Sequence, residues 1–103
     1  MKKILYLNVK KVWFDLMIVG QKKIEIRVPS QWIKSRVNGR YYDVIKFING
    51  YGHSKPFFIC KFLGYEISDI EKIHSFGNIK LTQKKGDYVI KLGNVIETGN
   101  LNV

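Results

Sequence analysis

Residues 20–27 read GQKKIEIR and hold Lys22, Glu25 and Arg27 close together. These side chains can do chemistry as a group. Arg27 offers a planar fork of donors suited to a phosphate or to the acceptor edge of a base. Lys22 offers a point charge for a phosphate or a developing oxyanion. Glu25 can accept hydrogen bonds from a base's amino or imino group. It can also activate water as a general base, or hold Arg27 or Lys22 in place. The plainer alternative is a solvated strand face whose ion pairs contribute about 0–1 kcal/mol.

The elements around the group follow from local pattern. Ile24, Ile26 and Val28 alternate with Lys23, Glu25 and Arg27, the period of a strand with one apolar and one charged face. Side chains two apart on a strand point the same way, so Glu25 and Arg27 share a face. Lys23 has their parity. Lys22 does not, but it sits at the turn, where parity fails. Ahead of the strand, residues 10–19 read as a helix capped by Asn8, with Val12, Trp13, Leu16, Met17 and Val19 as its apolar stripe. Gly20 suits a left-handed C-terminal cap. Residues 3–9 read as a first strand. After the motif, Pro29 breaks the strand, and Ser30 can cap a short helix over 31–36. Asn38-Gly39 marks a turn.

Two β-like runs follow, 41–48 and 56–63, joined by a hairpin tip, NGYGHSK. Residues 66–76 are weakly periodic and read as a loop or short helix. Lys84-Lys85-Gly86-Asp87 reads as a turn. Residues 87–97 form a final strand with a bulge or bend at Gly93. The predicted order is β-α-β-α-β-β-β. It makes an α+β, mainly β chain: a small, partly closed barrel with two short helices in its N-terminal half. Residues 1–97 are expected to form one domain and 98–103 a loose polar tail.

Other residues extend the candidate surface. Lys10 and Lys11 occupy the helix's first turn, where the dipole disfavours cations and a bound phosphate would reverse the penalty. The tip places Tyr51, His53 and Lys55 together, and Tyr51 could stack on a base. Lys34, Arg36 and Arg40 could continue a phosphate track. Trp13 reads as core, while Trp32 reads equally as core anchor or stacking platform. His53 and His74 lack metal-ligand spacing. Cys60 is the single cysteine, so no internal disulfide and no cysteine zinc site can form. Its parity with Phe58 and Phe62 places it in the core. No metal and no cofactor are expected.

Composition narrows the partner. The 103 residues carry 18 Lys+Arg against 8 Asp+Glu, a net charge of +10. Residues 1–40 hold ten of the cations and only two of the acids, Asp15 and Glu25. A basic half on a small domain points to a polyanion. No apolar run approaches the roughly 20 residues of a membrane span. The lysines and apolar residues of MKKILYL faintly resemble a secretion signal, but Asn8, Lys10 and Lys11 interrupt the run and no small-residue cleavage site follows. A cytoplasmic protein with no membrane partner is expected.

The Gly-x-Lys-x-x-Glu-x-Arg pattern of Gly20, Lys22, Glu25 and Arg27 resembles the signature of the ASCH domain, a relative of the PUA RNA-binding fold. WFDLMIVGQK is similar to that family's helix. VPSQWIKSRV, YYDVIKFINGYG and YVIKLGNVI are similar to segments of short ASCH proteins often carried by phages and prophages. The resemblance covers nearly the whole chain in order. It implies a PUA-like barrel with a cleft lined by the motif strand, and binding of RNA or modified nucleobases. Some family members are hydrolases. In the amidohydrolase branch a threonine nucleophile stands where this chain has Glu25, and a carboxylate cannot take that role.

The expectation is therefore a nucleic-acid binder, RNA favoured over DNA, working through Lys22, Glu25, Arg27, Lys10, Lys11, Tyr51, His53, Lys55, Arg36 and Arg40. One alternative is a small hydrolase acting on RNA or a modified nucleoside, with Glu25 as base and Lys22 stabilising the oxyanion. The other is a phage-encoded module that inhibits a host protein.

Overall fold

The computed structural model describes residues 2–101. Its main sheet has five strands: β1 (Ile4–Val9), β2 (Ile24–Arg27), β3 (Val44–Asn49), β4 (Phe57–Ile67) and, last in the chain, β7 (Tyr88–Gly99). The spatial order is β1-β3-β4-β7-β2, with β1 parallel to β3 and every other pair antiparallel. The sheet curls into a half-barrel whose edges, β1 and β2, are bridged by the Arg27 side chain reaching the Asn8 carbonyl. Helices α1 (Lys11–Ile18) and α2 (Gln31–Val37) lie in the crossover from β1 to β3. The chain is thus mainly β with two helices in its first half, as its pattern predicts. Among the described residues, no helix is long and apolar enough to cross a membrane.

The core fills the hollow of the curl. Leu5, Leu7 and Val9 of β1, Ile45 and Phe47 of β3, and Phe58, Cys60 and Phe62 of β4 point inward at alternate positions. Phe58 packs between Phe47 and Phe14 of α1, with ring centroids 5.1 and 5.2 Å away. Cys60 is buried as its parity predicts, and burial pushes its thiol up to about 12.

Several local expectations are corrected. Asn8 does not cap α1. It is still in β1, its side chain donates to the Gly50 carbonyl, and Lys10 takes the N-cap position without a side-chain cap bond. The buried face of α1 centres on Phe14 and Met17, flanked by Trp13 and Ile18, while Val12 and Val19 are exposed. Ser30 does cap α2, its Oγ accepting from the Ile33 N–H at 3.1 Å. Tyr41 and Tyr42 precede β3 rather than belonging to it.

The segment predicted as loop or short helix, 66–76, is loop only over residues 68–71 and strand on either side. β4 runs on to Ile67, and β5 (Lys72–Phe76) pairs with β6 (Ile79–Gln83) as a separate hairpin. Its faces are largely wet, so hydrophobic alternation is faint. Polar bonds anchor it: buried Gln83 donates to Ser68 Oγ at 2.7 Å and joins His74 Nε2 at 2.9 Å. The last strand, β7, runs two residues past the boundary expected at residue 97. Thr98 and Gly99 continue β7 opposite Phe58 and Phe57, and Asn100 donates to the Lys55 carbonyl. Residues 102 and 103 of the expected tail lie outside the described residues. The expected bulge is present. Phe62 pairs with Leu92 and Cys60 with Val95, leaving Gly93 and Asn94 opposite Lys61.

Candidate functional site

After α1 the chain reverses at Gly20, whose φ of +80° favours glycine. The Gln21 and Lys22 amides both donate to the Leu16 carbonyl at 3.0 Å. That tight wrap tucks the Lys22 side chain beneath the end of the helix. Lys22 is 1 % exposed. Its ammonium donates to the Ile24 carbonyl at 2.6 Å and to Glu25 Oε1 at 3.1 Å, and lies 5.5 Å from the centre of the Trp13 ring. Lys23, which shares strand parity with Glu25, is exposed instead.

The strand face is the reverse of the expected one. Glu25 pairs in register with Ile90 and Arg27 with Tyr88, both core residues, so the charged positions of β2 turn inward. Ile24 and Ile26 are only half-buried, and Val28 is exposed. Inward charge is tolerated because every charged group in it is hydrogen-bonded. Glu25, 5 % exposed, receives Lys22 on Oε1 and Arg27 Nε on Oε2 at 2.8 Å. Arg27 Nη2 then donates 2.7 Å to the Asn8 carbonyl of β1. A relay of Lys22, Glu25, Arg27 and Asn8 thus spans the seam between the edge strands. Burial is the largest influence on Lys22 and pulls its pKa down; Glu25 opposes that, and Arg27 adds to it.

This geometry limits what each residue can do. Both Glu25 oxygens are engaged, so it braces two cations and is not set up as a base on water. Lys22 is sealed from any phosphate. Arg27, with its side chain 27 % exposed, is the one charged member of the relay open to a ligand. Nη1 of Arg27 has no partner among the described residues.

The remaining candidates fall into two regions. At one end of the β1–β3 pair, Asn8, Lys10, Gly50 and Tyr51 line a groove of about 320 Å³. Tyr51 is 80 % exposed. Gly50 and Gly52, with φ near +100°, give the tip a path that leaves the tyrosine outside. Next to it, His53, Lys55, Lys46 and Phe57 border a second hollow of about 210 Å³. Lys11 is held by Asp15 at 2.6 Å on the helix surface. At the opposite end of the β1–β3 pair, Arg40 shares a depression with Lys3 and Tyr41, and Arg36 lies over the exposed ring of Trp32 at 5.3 Å. Arg36 and Arg40 therefore do not join Lys10 and Tyr51 in one patch.

Sequence reasoning missed two contributors. One is the Asn8 carbonyl that anchors Arg27, a main-chain group with no sequence signal. The other is Lys46, whose outward parity between Ile45 and Phe47 was legible. Among the described residues, no three His, Cys, Asp or Glu side chains cluster to hold a metal. No protein-family model, curated protein or solved structure matches the chain.

Proposed function

We propose that this chain is an ASCH-like, PUA-related nucleic-acid-binding protein that favours RNA, with Arg27, Lys10 and the 49–55 hairpin as its contact surface. One observation carries this reading: the groove of Lys10 and Tyr51 is built on Asn8, the residue whose carbonyl fixes Arg27. A braced guanidinium, a free lysine and an exposed aromatic ring meet at one edge of a strongly basic domain. Guanidinium and ammonium suit phosphates, and the tyrosine suits a base face. Lys22 and Glu25 serve here as the brace behind Arg27 and not as contacts. The motif's place, on a strand directly after a glycine-ended helix, also supports the ASCH resemblance.

Fluorescence anisotropy with labelled single-stranded RNA, hairpin RNA and duplex DNA tests the reading. RNA is expected to bind more tightly than duplex DNA. Tyr51→Ala is expected to weaken RNA binding by about fivefold or more. Arg27→Lys keeps the charge but loses the fork, and is expected to reduce the preference among RNAs more than the overall affinity. Absence of binding to any of the three at moderate salt overturns the proposal, and recovery of a stoichiometric protein partner would replace it.

A further inference from the structure

The outer face of the main sheet carries a row that the core does not explain. Register sets Tyr6 of β1 beside Lys46 of β3, Lys46 beside Ile59 of β4, and Ile59 beside Glu97 of β7. All four point away from the core, since their strand neighbours Leu5, Leu7, Ile45, Phe47, Phe58 and Cys60 fill it. Tyr6 is 54 % exposed. The Lys46 ammonium sits 4.1 Å from the centre of the Phe57 ring. Phe57 lies flat against Gly99, where ring atoms stand only 2.2 and 2.4 Å from the position a Cβ would take. Lys61 is exposed on the same side of β4, one position beyond Cys60. Strands lie roughly 4.8 Å apart, so the row offers an aromatic ring, a cation and an apolar shelf at short, even intervals.

We infer that this face is a stacking track for single-stranded RNA, continuous with the hairpin tip. The deduction rests on the RNA-binding reading above and extends it to a second surface. Lys46 and Phe57 belong to both surfaces, since they also border the hollow beside His53 and Lys55. A strand leaving the tip therefore meets Lys46 first and Tyr6 next. Base faces stack on exposed rings whatever their sequence, while lysines follow the backbone. A paired stem presents no free base faces, so the track selects unpaired RNA. Charge favours the same partner. Lys46 and Lys61 are cations in and beside the row, and Glu97 is its one acid, marking the track's far limit on β7.

The test compares a labelled oligouridylate with a fully paired RNA hairpin, across wild type, Tyr6→Ala, Lys46→Met, Glu97→Lys and, as the tip control, Tyr51→Ala. Lys46→Met keeps an apolar stem over Phe57, and Tyr6 lies on the surface, so both variants are expected to fold. The inference expects Tyr6→Ala and Lys46→Met each to lose about fivefold or more on the oligouridylate and much less on the hairpin. Lys46→Met should also lower the salt slope by about 0.7, one phosphate on a single strand. Glu97→Lys should tighten the oligouridylate. Unchanged oligouridylate binding in Tyr6→Ala and Lys46→Met, with a loss in Tyr51→Ala, would overturn the track and leave the tip reading standing. Equal losses on both RNAs would make the face a general phosphate contact and overturn the selection for unpaired strands. No RNA binding by wild type would overturn both readings.

Discussion

Buried titratable groups make this protein's stability depend on alkaline pH in two opposed ways. Lys22 has a folded pKa below its unfolded value of about 10.4. Between the two values the unfolded chain holds a proton that the native one has released. Stability therefore rises with pH across that window. Cys60 does the opposite. Its thiol is pushed from 9.0 to about 12, so above pH 9 the unfolded chain ionises first and stability falls. Each contributes a slope of at most about 1.4 kcal/mol per pH unit. Urea unfolding from pH 7 to 11 should show the rising contribution vanish in Lys22→Met and the falling one, above pH 9, vanish in Cys60→Ala. The relay also shows what types and spacing can convey. Which three residues would meet was legible, because the turn after Gly20 frees Lys22 from strand parity. Which way they face was not. Apolar alternation in Ile24, Ile26 and Val28 suggests a core face, but two cations that share one carboxylate and donate to two carbonyls can occupy the interior instead.

Among elements, those punctuated by glycine and serine were the most legible. Gly20, Ser30 and the Gly93 bulge each act through local geometry that their residue types dictate. The β5–β6 hairpin was hidden because most of its side chains meet water and tertiary polar bonds hold it in place. The end of β7 was hidden for another reason. Thr98, Gly99 and Asn100 look like a polar tail, yet Gly99 is there to admit the Phe57 ring. Gly99→Ala should force that ring aside and cost about 1–3 kcal/mol of stability, measured by urea unfolding. It should also disturb Lys46, which rests on the same ring. A value near zero would mean that the ring has free room to turn.

For the molecule as a whole, charge is the dominant property. The net +10 lies mostly in the first 40 residues. Those residues form β1, α1, β2 and α2, so both edges of the curled sheet and both helices lie in the basic part. On the proposed reading, RNA affinity should fall steeply with salt, by about 0.7 in log–log slope for each phosphate contacted on a single strand. Anisotropy from about 50 to 200 mM salt measures it, and a slope near zero would mean that the surface charge meets no backbone. The seam has a different consequence. An open sheet leaves two rows of unpaired amides and carbonyls, and such rows recruit strands from neighbouring molecules. Here Arg27 of β2 reaches across to the Asn8 carbonyl of β1, so one group of that exposed row is already taken. The bond that aims a guanidinium thus occupies a site that a neighbouring copy's strand would need. Its loss in Arg27→Ala should raise strand-to-strand aggregation at high concentration, read by light scattering.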